Sequence, residues 1–110
     1  TKALFVEGNF VLVELDYTTV GKRVIYFPVS SFYNVNGVPS ETLSAVSAYT
    51  TASLIPAFGP GYAYDTFDEA EISSGTALSV FFEENGWVFA EFDSALGMVR
   101  AWIPIENVGY

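Results

Sequence analysis

NGWVFAEFDSALGMVRAWIPIENV, residues 85–108, reads as a strand opening on Trp, a glycine loop and a second strand that ends on Ile-Pro. Residues 8–32, GNFVLVELDYTTVGKRVIYFPVSSF, say nearly the same thing earlier in the chain. Set side by side, Phe10 falls on Trp87, Val11 on Val88, Leu12 on Phe89, Glu14 on Glu91, Leu15 on Phe92 and Asp16 on Asp93. After a loop one residue longer in the first copy, Gly21 falls on Gly97, Tyr26 on Trp102, Phe27 on Ile103 and Pro28 on Pro104. Chance supplies a few such matches. Aromatic, Gly and Pro positions all in register make a duplication with a period of about 77 residues the better reading.

Each copy follows the pattern strand, turn, strand. ALFVE, residues 3–7, then Gly8-Asn9, then FVLVEL predicts a hairpin; ALSVFFEE, then Asn85-Gly86, then WVFAEF predicts its counterpart. Asn and Gly tolerate the positive φ that tight hairpin turns require. The next strands, RVIYF and VRAWI, are each stopped by a Pro, which cannot donate to a central ladder. The residues after each Pro suffice for one tight helical turn and a last short strand. Upstream of the second hairpin lies what the first copy lacks: TTASLIP, residues 50–56, predicts an opening strand, and residues 57–75 a long loop punctuated by Gly and Pro. Between the copies, residues 36–47 read as a linker, with Ser40 placed to cap a short helix carrying Leu43 and Val46.

Composition narrows the function. Apolar residues are 51% and aromatics 17%, enough to build a core, and the Val, Ile, Thr and Tyr in the apolar runs favour strands. Net charge is −9, and the acids Asp65, Asp68, Glu69, Glu71, Glu83, Glu84, Glu91, Asp93 and Glu106 against the single base Arg100 concentrate it in residues 48–110. That field repels phosphate backbones and anionic lipid, so nucleic acid and membrane surfaces are poor partners. Solubility of an aromatic-rich domain is the plain alternative explanation of the acidity. No run approaches the roughly 20 apolar residues that cross a membrane, so no membrane insertion is expected. Thr1 begins neither an initiator Met nor a signal peptide, so the chain reads as a processed or excised piece of something longer.

The second copy, residues 48–110, resembles the bacterial Src-homology-3-like domain. The resemblance rests on TASLI, then GPGY, then the Gly-Thr of SSGTALSVFFE, then NGWVFAEF, then the glycine loop leading to RAWIP. AYDTFDEAEISSG and WIPIENV are similar to the acidic long loop and Ile-Pro ending of the eukaryotic signalling relatives, although Asn107 stands where those carry a ligand-stacking Tyr and Val88 stands for the second Trp of their tandem pair. The resemblance implies an all-β protein: a small five-stranded barrel at 48–110, preceded at 1–35 by the last part of another. It further implies a non-catalytic module, extracellular or in the bacterial cell envelope, that targets peptidoglycan or another wall component.

Catalysis has little to work with, since the sequence holds neither His nor Cys and the common nucleophile and base pairs are missing. Asp65, Asp68, Glu69 and Glu71 suggest a carboxylate pair or a calcium loop, but the spacing matches no EF-hand and a solvated loop explains them more simply. The chain is therefore expected not to be an enzyme and to need no cofactor or metal. For ligand binding the candidates are Tyr62, Tyr64 and Trp87 as stacking surfaces, with Asp65 and Asp68 selecting cationic groups such as the free amine of a wall glycopeptide. Trp87 reads equally well as a core residue, and Trp102 reads as core. The rival readings are a structural spacer, a binder of proline-rich peptide, and a protein that adds a strand or dimerises through the open edge at ALFVE.

Overall fold

The structure, a computed structural model, describes residues 2–29 and 45–110. The chain divides into two compact units, Thr1–Ser44 and Ala45–Tyr110, each with its own antiparallel sheet. The protein is all-β, and neither sheet closes on itself. Among the described residues, no helix is long and apolar enough to cross a membrane.

In the first unit, β1 (Lys2–Glu7), β2 (Phe10–Tyr17) and β3 (Gly21–Pro28) form a meander in the order β1-β2-β3. The first hairpin turns on Gly8 at φ +61°, which puts the positive angle on the first central residue of the two-residue loop, as a type II′ turn requires. Val11 faces Phe27 and Val13 faces Ile25 across the ladder, and all four are buried. On the opposite face Phe10 meets Tyr26 edge to face at 6.3 Å.

The second unit contains β4 (Val46–Thr50), β5 (Ala77–Glu84), β6 (Trp87–Ser94), β7 (Gly97–Pro104) and β8 (Val108–Gly109), in the order β7-β6-β5-β4-β8. Asn85 at φ 56° and Gly86 at φ 78° make the β5–β6 turn, the pair of positive angles that defines type I′. The core gathers Phe89, Phe92, Val99, Trp102 and Ile103 from β6 and β7 with Phe67 and Ile72 from the long loop. Phe89 and Trp102 lie 5.2 Å apart between ring centres, so Trp102 is a core residue, as its alternation predicts. Each fully buried side chain of this size removes apolar surface worth about 1.5–3 kcal/mol.

The ladders of the two units share one register. Phe10, Val11 and Leu12 face Pro28, Phe27 and Tyr26, as Trp87, Val88 and Phe89 face Pro104, Ile103 and Trp102. In β1 the pairing slips between Ala3 and Phe5, skipping Leu4; in β5 it slips between Val80 and Phe82, skipping Phe81. Each slip falls in the first strand of its meander. The Val29 amide donates to the Asn9 carbonyl at 2.9 Å just as the Ile105 amide donates to the Gly86 carbonyl at 3.0 Å.

The opening strand is displaced from its expected position. It spans Val46–Thr50 rather than residues 50–56, and it starts inside the expected linker; Val46, expected on a helix, begins it. The reason is the supply of edge partners. Val46, Ser47, Ala48 and Tyr49 pair with Val80, Ser79, Leu78 and Ala77, and Tyr49 and Thr50 pair with Gly109 and Val108. Past Thr50 the ladder has no further strand to follow, and Leu54 makes only a lone bridge to Ile72. The remaining linker residues, 36–44, including Ser40 and Leu43, lie outside the described residues, as do residues 30–35 of the expected first copy.

Thr50 closes the base of the long loop. Its hydroxyl donates to the Ser73 carbonyl at 2.7 Å and accepts from the Thr76 amide at 2.9 Å, and its own carbonyl accepts from the Gly75 amide at 2.7 Å. At 1% exposure it has no water to replace those bonds. Thr50→Val is expected to lower the stability of the second unit by about 0.5–1.5 kcal/mol, the net contribution of an intramolecular hydrogen bond, whereas Thr50→Ser keeps most of it. Urea unfolding followed by Trp fluorescence checks this directly, because both Trp residues belong to the second unit.

Candidate functional site

The long loop between β4 and β5 is held along its length before it reaches any site. Ala57 and Trp102 exchange backbone hydrogen bonds at 2.9 and 3.0 Å, the Phe67 amide donates to the Pro56 carbonyl at 2.7 Å, and the Phe58 amide donates to the Asp65 carbonyl at 3.0 Å. Beyond these ties the chain turns through Gly59, Pro60 and Gly61. A Cβ on Gly59 would collide with the Tyr64 ring, so the half-buried Tyr64 ring packs where only glycine leaves room.

The loop tip meets two other segments. The Asn85 side-chain amide, on the β5–β6 turn, donates to the Pro60 carbonyl at 3.3 Å. Tyr62 stands edge-on to Trp87, with ring centres 4.9 Å apart and planes at 72°. The Tyr62 hydroxyl donates to Oε1 of Glu106 at 3.0 Å. Glu106 belongs to the 3-10 turn Ile105–Asn107, which the Ile105 amide anchors to Gly86. Hairpin turn and 3-10 turn thus each make a hydrogen bond to the loop tip.

Burial separates the roles of the two rings. Tyr62 is 80% exposed and Trp87 6%. The structure therefore brings Tyr62 and Trp87 together but gives the open aromatic surface to Tyr62, with Trp87 as its floor. Asp65 and Asp68 are both exposed, and Asp68 Oδ1 accepts the Thr66 hydroxyl at 2.5 Å, a bond within the loop itself. Val88, beside Trp87 in β6, is fully buried. Among the described residues, no three acids converge to hold a metal ion.

Glu106 and Asn85 are the site residues that sequence reasoning passes over. Asn85 carries a turn signal that hides its second use, and Glu106 reads as one acid among many. The site is anionic: Arg100, the one base of this unit, reaches Glu91 at 3.2 Å and lies 4.8 Å over the Phe81 ring. The hydrogen bond to Glu106, then desolvation and the Glu106 charge, push the Tyr62 phenol above its ordinary pKa.

Compared with models of known families, with curated proteins and with solved structures, the chain finds no significant match in any of the three.

A raised phenol pKa means that the folded state favours neutral Tyr62. The contribution of this tie is complete below the ordinary Tyr pKa of about 10 and is lost as pH rises through the higher folded value. Glu106→Gln removes the charge and weakens the acceptor, so Tyr62 is expected to titrate closer to an unperturbed tyrosine. An NMR titration of the Tyr62 ring reads this, and an unchanged midpoint in the Glu106→Gln protein would remove Glu106 as the cause.

Proposed function

We propose that residues 45–110 form a Src-homology-3-like barrel and that the protein is a non-catalytic binding or targeting module of the bacterial cell envelope or exterior, recognising peptidoglycan or another wall component. The observation that carries this reading is Tyr62: an aromatic ring left 80% exposed yet held by a hydrogen bond to Glu106 and an edge contact to Trp87. A fixed ring of this kind offers a face to a sugar ring or a peptide side chain with little ordering on binding. Glu106 beside it attracts a cationic group, such as the free amine of a wall peptide.

The barrel assignment draws support from the meander β5-β6-β7, from β4 and β8 on its far edge, and from the bridge of Ala57 to Trp102 on the outer side of β7. The shared register of the two meanders supports a duplication, with the first unit as the last part of a similar domain. Ligand recognition then belongs to the second unit, since Phe10 takes the place of Trp87 in the first meander.

Trp87 is a poor probe of this reading, because truncating a buried Trp costs about 3–5 kcal/mol of stability. Tyr62→Ala leaves the core intact. Co-sedimentation with purified peptidoglycan is expected to weaken roughly two- to tenfold in Tyr62→Ala, the equivalent of the about 0.5–1.5 kcal/mol of an aromatic contact, and to weaken also in Glu106→Gln. If the parent does not sediment with the wall material, or Tyr62→Ala sediments equally well, the reading fails.

A further inference from the structure

We propose that Asn85 is a positioning residue of the binding site: its side-chain amide, acting through the Pro60 carbonyl, sets the loop tip so that Tyr62 rests on Trp87 and reaches Glu106. The contacts come from three consecutive residues. The Asn85 amide donates to the Pro60 carbonyl at 3.3 Å, the Gly86 carbonyl accepts from the Ile105 amide at 3.0 Å, and the Trp87 ring meets the Tyr62 ring at 4.9 Å. Gly86 thereby places the 3-10 turn that carries Glu106, the acceptor, while Asn85 and Trp87 place the tip that carries Tyr62, the donor. The consequence for binding rests on the reading of Tyr62 as the ligand-facing ring; the placement of the ring does not.

Of the two side-chain hydrogen bonds to the tip, the one from Asn85 is the less exposed to water. The Ala57 bonds and the Phe58–Asp65 bond fasten the root of the tip, and the bonds from the Gly61 amide to the Gly59 carbonyl, 3.0 Å, and from the Tyr64 amide to the Gly61 carbonyl, 3.3 Å, shape it from within. None of these reaches the β5–β6 turn. The Tyr62–Glu106 bond is exposed, so water competes for both partners and it holds the tip weakly by itself. The Pro60 carbonyl sits on a buried residue two positions before Tyr62, and the proline ring fixes the φ there. A bond at that point carries to the Tyr62 ring through few free torsions.

The turn itself does not call for this side chain. Asn85 is the one non-glycine residue at positive φ among the described residues. Glycine takes that angle at no steric cost, and Asn-Gly, Asp-Gly and Gly-Gly all suit a type I′ turn. The first meander opens its own two-residue loop with Gly8 and no side chain at all. What asparagine supplies at residue 85 is an amide N–H within reach of Pro60.

Asn85→Gly keeps the turn and removes the amide; Asn85→Asp keeps the turn and sets a carboxylate against the Pro60 carbonyl. NMR is read first, since it needs no ligand. In both variants the NOEs between the Tyr62 and Trp87 rings are expected to weaken, and the Tyr62 phenol, held above its ordinary pKa by Glu106, to titrate closer to an unperturbed tyrosine. In a Glu106→Gln background Asn85→Gly is expected to move that titration no further, because the two residues act on one contact. A residue that served only the turn would change the urea midpoint and leave both Tyr62 readouts where they were, and that result overturns the proposal. Co-sedimentation with purified peptidoglycan is then expected to weaken roughly two- to tenfold in Asn85→Gly, as in Tyr62→Ala. If the NMR changes are present and the parent does not sediment, Asn85 keeps its role and the wall reading alone is overturned. If the NMR changes are present and Asn85→Gly sediments as well as the parent does, the role of Asn85 in binding is overturned.

Discussion

Two backbone hydrogen bonds between Ala57 and Trp102 govern the second unit. They lie midway between the foot of the long loop at Thr50 and its tip at Tyr62, and they fasten the loop to the outer edge of β7. They matter because the loop has little regular structure of its own, being irregular from Thr51 to Thr76 apart from isolated bridges and one 3-10 turn at Asp68–Ala70. With them, Phe67 and Ile72 become core residues rather than loop residues. The same tie limits how far the tip can travel, which is why an exposed ring such as Tyr62 can hold one position on Trp87. Loop, core and site are therefore all tied to the sheet near Ala57, a residue whose side chain is a buried methyl group.

Much of the strand plan is legible in the sequence, and the reason is turn chemistry. The Gly8-Asn9 and Asn85-Gly86 turns fix the hairpins because the positive φ angles at Gly8, Asn85 and Gly86 leave few alternatives, and the register then follows from counting back along each strand. β4 is not legible in this way. VSAYT carries no turn signal, and what makes it a strand is the open edge of β5 from Ala77 to Val80 and the two residues of β8, partners about thirty and sixty residues further along the sequence. TTASLIP has the composition of a strand but no edge left to join. Trp87 is ambiguous for a related reason: Trp87, Val88, Phe89 and Ala90 are all buried, so the alternation that would sort its face from its neighbours is missing. Glu106 becomes a site residue only once the Ile105 amide has anchored its turn to Gly86, a contact between segments that no local pattern announces.

The two meanders also show how little of a fold the meander alone determines. Their registers coincide residue by residue, yet β1 is wholly exposed while β5 is largely covered. In the second unit, β4 pairs with Ala77–Val80 and the long loop adds Phe67 and Ile72 to the core. The skipped residue makes the same point: Phe81 lies under the Arg100 guanidinium, whereas at the equivalent positions of the first unit Leu4 and Val24 carry no charge and Glu14 turns instead to Lys22 at 3.9 Å. One register, under two sets of neighbours, yields a covered strand in one unit and an open one in the other.

Arg100 also bears on the electrostatics of the site. It is the one cation of residues 45–110, and it is spent on Glu91 and Phe81 within the β6–β7 ladder. Half-exposed as it is, that ion pair adds little to stability, but its position matters. No base of this unit remains to neutralise Glu106 or the acids of the long loop, so the field around Tyr62 is set by the unit's net negative charge rather than by one local pair. A field of that origin is long in range and screened over about 8 Å at physiological salt. It would speed the approach of a cationic ligand more than it would tighten the final contact. Selection of the ligand then falls to the short-range features of the site, the Tyr62 ring and the Glu106 carboxylate that holds it.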